Sequence, residues 1–152
     1  MPATHKPQRR SSCPVNASLE ILGDRWSLLI IRDLMLRGYR TYKEFLSSDE
    51  GIATNILAER LKRLETAGII STSRDAEDRR KVVYCLTAKG IDLAPIIVEL
   101  ILWAAQHEPT GAPPAAIRKM RAKREQFLRE IRRNWEEGGS AVFIPSPRKV
   151  SS

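Results

Sequence analysis

Between Gly51 and Lys81 the chain reads as one helix of about four turns followed by two short strands joined by a charged turn. Within GIATNILAERLKRLETAGII, Leu57, Leu61 and Leu64 are spaced to form a single apolar stripe that must face a core. The opposite face collects Asn55, Glu59, Lys62 and Thr66, with Arg63 beside them, so the solvent side is rich in groups that hydrogen-bond. Gly68 stands where a helix end needs a residue that accepts positive φ, and Ile69 to Arg74 then shifts to extended, β-branched composition. Residues 74–81 hold four basic and three acidic side chains before Val82 to Leu86 resumes a strand pattern, which predicts a hairpin with a basic tip.

A helix with a polar face, followed at once by a strand pair whose turn carries Arg79, Arg80 and Lys81, is the outline of a winged helix-turn-helix. In that arrangement the helix enters the major groove and the turn lies along the neighbouring backbone. Amphipathic helices with solvated charges occur in any soluble domain, so the reading rests on helix and hairpin together.

The rest of the chain supplies what such a module needs. Pro14 suits the first turn of a short helix that runs to Leu22 with Val15, Leu19 and Leu22 apolar, and Gly23 ends it. Asp24 is placed to cap the next helix, whose segment RWSLLIIRDLML is apolar enough to be the enclosed core helix. Gly38 closes it, Thr41 caps a third helix that turns Phe45 and Leu46 inward, and residues 47–51 form the turn. After Thr87, a long apolar helix kinked at Pro95 is expected. Its Leu93, Ile97, Leu100, Ile101 and Trp103 exceed what one small domain covers by itself, so a homodimer is expected, with Val15 and Leu19 joining the interface. Residues 109–114 break the pattern, and a basic helix follows to Trp135 with eight basic and two acidic residues between Arg118 and Arg133. Its stripe of Ile117, Met120, Phe127, Leu128, Ile131 and Trp135 has something to pack on, while its basic face is either solvated surface or a further set of phosphate contacts.

The expected organisation is therefore a flexible arm over 1–12, a winged helix-turn-helix domain with terminal dimerisation helices over 13–107, a linker and basic helix over 108–137, and a flexible tail over 138–152 within which the AVFI segment, Ala141 to Ile144, is expected to dock briefly. The fold class is mainly α with a small β-hairpin wing. Lys and Arg number 26 against 18 Asp and Glu, and this net charge of +8 favours a polyanionic partner without separating DNA from RNA or an anionic membrane. No stretch approaches the roughly 18 apolar residues of a membrane span, and the start lacks the apolar run of a secretory signal. A cytoplasmic protein with no membrane partner is expected. Cys13 and Cys85 are too few for a disulfide framework and lack zinc-ligating companions, so neither metal nor cofactor is expected. An enzyme is not expected either: His5 and His107 have no nucleophile or carboxylate suggested nearby, and no glycine-rich phosphate loop is present.

Four segments together resemble the HxlR-type transcriptional regulators, bacterial winged-helix proteins similar to the MarR group. They are CPVNASLEILGDRWSLLIIRDL, RTYKEF, the reading-helix segment from Gly51 to Ile70, and YCLTAKG, and the resemblance spans roughly Cys13 to Trp103. It implies a dimeric, sequence-specific DNA-binding regulator, of repressor type, whose terminal helices form the dimer and whose winged domains occupy two half-sites. Three departures stand out: Ala53 occupies the place of a Ser or Thr cap, with Thr54 one position later; the turn DAEDRRK is closer to the MarR wing; and the chain runs on past the expected end.

Specific binding needs base readers near the start of the reading helix and cations around it. Thr54, Asn55, Glu59 and Lys62 are assigned to base edges; Arg40, Thr41, Tyr42, Lys43 and Arg63 to phosphates; and Arg79, Arg80 and Lys81 to backbone or minor groove. Cys13, at a helix N-terminus that favours thiolate, is the candidate sensor of an oxidant or electrophile, as the resemblance also implies; a small-molecule effector of unknown identity is a further expectation. The rival readings are a sequence-independent nucleic-acid binder and a winged-helix protein-interaction adaptor.

Overall fold

The computed structural model describes residues 9–146, so His5 and parts of the expected arm and tail lie outside the described residues. Eight helices and one hairpin follow in the order α1 (Pro14–Leu22), α2 (Ser27–Leu36), α3 (Tyr42–Leu46), α4 (Thr54–Thr66), β1 (Ile70–Arg74), β2 (Val82–Leu86), α5 (Ala88–Ile91), α6 (Ala94–His107), α7 (Pro114–Ala122) and α8 (Arg124–Glu136). This is a mainly helical winged helix-turn-helix. No described helix is long and apolar enough to cross a membrane.

The core forms where the apolar stripes converge. Ile30, Ile31, Leu34 and Met35 of α2 meet Leu57, Leu61 and Leu64 of α4, with Phe45 of α3 and Ile70 and Leu86 of the hairpin. Ile52 and Leu57, one residue before the cap and four into α4, are both buried, the positions of a hydrophobic staple that fixes how the chain enters the helix. The strands pair antiparallel, with Ile70 opposite Leu86 and Arg74 opposite Val82. Tyr84 N–H donates to the Arg40 carbonyl at 2.8 Å, so the chain before α3 lies along the outer edge of β2. Gly68, at φ 75°, makes the left-handed turn from α4 into β1 that a side chain would resist.

Four expectations are corrected. The helix after Thr87 is not kinked at Pro95 but interrupted: α5 ends at Ile91 and α6 starts afresh at Ala94, with Pro95 in its first turn where a missing N–H costs nothing. The restart sets the phase of α6. Ile97 points into its own core at 4% exposure, and Ile96, at 44%, takes its place outside. The basic helix is two helices, broken at Lys123, whose φ of −134° is not helical. The stretch after Glu137 is not a loose tail. Phe143 and Ile144 N–H groups donate to the Leu36 carbonyl at 2.7 and 3.2 Å, Phe143 sits edge-on to Phe127 with ring centroids 5.7 Å apart, and Ser146 Oγ donates to Asp49 at 3.1 Å. These contacts close the open carbonyl end of α2, and Met120, Phe127 and Ile131 of α7 and α8 are buried in the same core.

An ion network sits beneath this closure. Asp33 is buried between Arg32 at 2.9 Å and Arg37 at 3.2 Å, and Arg37 also reaches Asp49 at 3.1 Å. Burial pushes the Asp33 carboxyl above its ordinary range despite the neighbouring Arg32 and Arg37. The network therefore orients the α2–α3 corner more than it stabilises it.

Candidate nucleic-acid interface

The reading helix is held from three sides. Leu57, Leu61 and Leu64 anchor its inner face. Tyr42 Oη donates to the Thr54 carbonyl at 2.8 Å, tying α3 to the first turn of α4. Arg60 Nε donates to Asp24 Oδ1 at 3.1 Å, tying the middle of α4 to the start of α2. Asp24 also accepts from the Trp26 and Ser27 N–H groups at 2.8 and 2.9 Å, so it organises the start of α2 as expected, although the helix proper begins at Ser27. Burial pushes its carboxyl upward, but the Ser27, Trp26 and Arg60 hydrogen bonds outweigh this and hold it below the ordinary range.

All four assigned base readers, Thr54, Asn55, Glu59 and Lys62, lie on the exposed side of α4. Among the described residues no side chain caps the helix: Ala53 is extended at φ −72°, ψ 148°, and Thr54 does not take over the role. The first turn of α4 thus starts without a side-chain cap at exposed residues Ala53, Thr54 and Asn55, an arrangement suited to a phosphate. Glu59 is engaged by Arg60 and, at 3.7 Å, by Arg63, which leaves Asn55 as the uncommitted bidentate group on the first turn. Sequence reasoning passed over Ala58, exposed between Asn55 and Glu59, whose methyl suits contact with a thymine methyl. Its spacing within the polar stripe was the signal.

The residues assigned to phosphates divide. Lys43 is exposed. Thr41 forms a capping box with Glu44, its Oγ1 accepting from Glu44 N–H at 3.3 Å while Glu44 accepts from Thr41 N–H at 3.2 Å. Thr41 and Tyr42 therefore serve α3 and α4 geometry with their side chains. Arg40 donates to the Gly138 carbonyl and, at 3.0 Å, to Cys85 Sγ, so its guanidinium is held by the C-terminal stretch. No sequence pattern marks a contact across 98 residues.

The wing tip is a built turn. Asp75 Oδ1 accepts from the Glu77 and Asp78 N–H groups at 2.7 and 3.0 Å, and these two N–H groups hold its carboxyl below the ordinary range. Lys81 N–H closes on the Asp78 carbonyl at 2.9 Å, which puts Arg79 and Arg80 at the two corners. Arg79, Arg80 and Lys81 are all exposed.

Of the assigned dimer residues, Val15 and Leu19 on α1 and Leu100 and Trp103 on α6 are exposed at 66%, 59%, 46% and 60%. Leu93 and Ile101 are half-buried, and Ile97 belongs to the core. No residue of α1 is buried. Cys13 is exposed at the N-cap of α1, while Cys85 is half-buried in β2. Among the described residues no group of three or more potential ligands is placed to hold a metal.

Comparison with known proteins gives a consistent picture. Residues 21–111 match the family model for HxlR-like helix-turn-helix proteins. The chain is 34% identical over 88 residues to the uncharacterised HTH-type transcriptional regulator sll1512 of Synechocystis sp., covering 58% of this chain and 64% of that one. It is 39% identical over 95 residues to the HTH-type transcriptional regulator YodB of Bacillus subtilis, covering 62% and 84%. The structure of the reduced form of YodB superposes with a TM-score of 0.53 at 36% identity, over 64% of this chain and 95% of that one. The crystal structure of PA1607, a candidate transcription factor, superposes with a TM-score of 0.61 at 36% identity over 68% and 70%. The chain thus spans just under two thirds of the length of the Synechocystis relative.

Proposed function

The chain belongs to the HxlR-like helix-turn-helix family, and from that premise we propose that it regulates transcription by binding a two-fold symmetric DNA operator as a homodimer, acting as a repressor. The observation that carries this reading is the first two turns of α4: an uncapped, outward-facing helix start bearing Thr54, Asn55 and Ala58, flanked by a wing that presents Arg79, Arg80 and Lys81. Two copies are called for because Val15 and Leu19 of α1 and Ile96, Leu100 and Trp103 of α6 stay exposed among the described residues, and pairing through these helices would bring two reading helices to two half-sites.

The rival reading, a sequence-independent binder, draws on the basic residues of α7 and α8. Three of these are committed within the protein, Lys119 to Glu130, Arg124 to Glu99 and Arg132 to Asp92, which weakens it. Oxidation or alkylation of Cys13 is proposed as the regulatory input. Its thiol is exposed at the start of α1, on the helix that carries Val15 and Leu19, and the relative YodB has been solved in a form described as reduced.

The assignments separate in mutant binding isotherms on a duplex enriched from a random pool. Asn55→Ala should cost about 1–3 kcal/mol and relax preference at one base pair, whereas Arg80→Ala should weaken all duplexes alike and lower the salt slope by about one. The reverse pattern would overturn the roles given to helix and wing.

A further inference from the structure

Residues 138–146 lie beyond the family match, which ends at residue 111, and form a strap over the α2–α3 corner. The strap leaves α8 through Gly138 and Gly139, both left-handed, at φ 110° and 76°. Four backbone N–H groups then hold it: Gly139 on the Asn134 carbonyl at 2.8 Å, Ala141 on the Asn134 side chain at 3.0 Å, and Phe143 and Ile144 on the Leu36 carbonyl. Its apolar share is small, with Phe143 and Ile144 half-buried and Val142 58% exposed, whereas α7 and α8 are fixed by the buried Met120, Phe127 and Ile131. A segment with so few buried apolar contacts opens more readily than the core it covers, and the two glycines supply the hinge.

What the strap holds is an arginine at the edge of the reading site. The Arg40 carbonyl accepts from Tyr84 N–H of β2, the next residue caps α3, and Tyr42 grips the first turn of α4, so Arg40 stands between wing and reading helix. With Thr41, Arg74 and Asp75 it borders a groove of about 510 Å3 between α3 and the wing. Its guanidinium is turned to the Gly138 carbonyl and, at 3.0 Å, to Cys85 Sγ. Neither partner is a carboxylate, and a phosphate oxygen makes a charge-assisted bond about twice as strong as a neutral one. We propose that the strap is an autoinhibitory latch. Docked, it withholds Arg40 from DNA through the Gly138 carbonyl; released, it lets Arg40 turn into the groove and take a phosphate between α3 and the wing. The docked strap thus costs DNA affinity, because the state that holds phosphate with Arg40 is populated only when the strap opens. This gating rests on the DNA-binding role proposed above; the opening of the strap does not.

Amide hydrogen exchange of the full-length protein without DNA tests the opening. The amides of Gly139, Ala141, Phe143 and Ile144 should exchange together, on the order of a hundredfold faster than those of Leu61 and Leu64 in α4; equal protection would make the strap a fixed part of the core and overturn the latch. Two full-length variants displace it. At Gly38 a Cβ would meet the Ser140 carbonyl oxygen at 2.7 Å, so Gly38→Asn pushes the strap away while Asn accepts the φ of 69°. Phe143→Pro removes the N–H given to Leu36 and the ring against Phe127. Strap protection should vanish in both while Leu61 and Leu64 keep theirs; if one variant misfolds the other decides, and misfolding of both would overturn the latch. On the duplex enriched from a random pool, each should bind about tenfold tighter than the wild type. The salt slope should steepen by about two, one phosphate per protomer. Adding Arg40→Gln to Gly38→Asn should cancel both gains. A gain that survives Arg40→Gln, or binding unchanged or weakened once exchange shows the strap released, would overturn the gating. If the wild type enriches no duplex, the regulator reading fails and takes the gating with it, while the exchange result stands.

Discussion

Replacing Phe127 by alanine should lower the free energy of unfolding by about 3–5 kcal/mol, measured by urea denaturation of the full chain. Phe127 is 3% exposed, packs edge-on against Phe143, and shares the core with Ile131 and Met120. Its loss would empty a space between α8 and the returning C-terminal stretch, which is itself held in place by the Phe143 and Ile144 hydrogen bonds to Leu36. The same substitution should leave the enriched duplex's base preference unchanged in the folded fraction, because Phe127 touches nothing on the reading face. A loss under about 1 kcal/mol would mean that α7 and α8 are appended to the domain and not part of it. The family match ends at residue 111, so this is also a test of whether the remainder of the chain has been absorbed into the fold.

Trp103→Glu should have its effect at the level of assembly. Trp103 is 60% exposed on α6 beside Leu100 and Ile96, so a carboxylate there costs the monomer little and places two charges in an apolar interface. Sedimentation equilibrium should show a shift from dimer to monomer with an unchanged thermal midpoint at low protein concentration. Operator affinity should then fall by about 10²–10⁴, the advantage that linking two half-site contacts confers. If the variant stays dimeric, the interface lies elsewhere. If it becomes monomeric and binds DNA as tightly as before, two-fold recognition is wrong.

What could be read from the sequence, and what could not, divides along the distance over which a contact acts. The α4 stripe, the Thr41 cap, the left-handed turn at Gly68 and the basic wing tip are local, set by residues within a turn or two of one another, and each stands where the pattern placed it. The phase of α6 differs from that of a continuous helix for an identifiable reason. A helix continued from Ala88 through a kink and one restarted at Ala94 differ in rotation, and one residue is enough to exchange Ile97 for Ile96 on the outer face. The break at Lys123 carries no glycine or proline, so nothing in composition announced it.

Long-range ties were beyond the pattern. Asp24 holding Arg60 across 36 residues and Gly138 holding Arg40 across 98 connect polar groups that read as ordinary surface residues in one dimension. The second of these bears on function, because Arg40 had been assigned to phosphate and its guanidinium is occupied by the C-terminal stretch and by Cys85. The serines and prolines after Gly138 point to a loose end on which only the apolar AVFI segment docks; that segment does dock, but its anchor, backbone N–H groups of Phe143 and Ile144 on the open carbonyl of Leu36, is not written in the pattern. Hydrogen bonds of that kind depend on where the end of α2 comes to rest and on no side-chain pattern.

The central claim is that this protein reads a symmetric DNA sequence, and the most direct measurement is selection of duplexes from a random pool by the purified full-length protein at near-physiological salt. The account predicts enrichment of an inverted repeat protected symmetrically about its centre and preferred on the order of a thousandfold over a scrambled duplex of equal composition. Retention of duplexes without any enriched sequence would contradict it and leave the charge of the chain as the sole basis for its attachment to DNA.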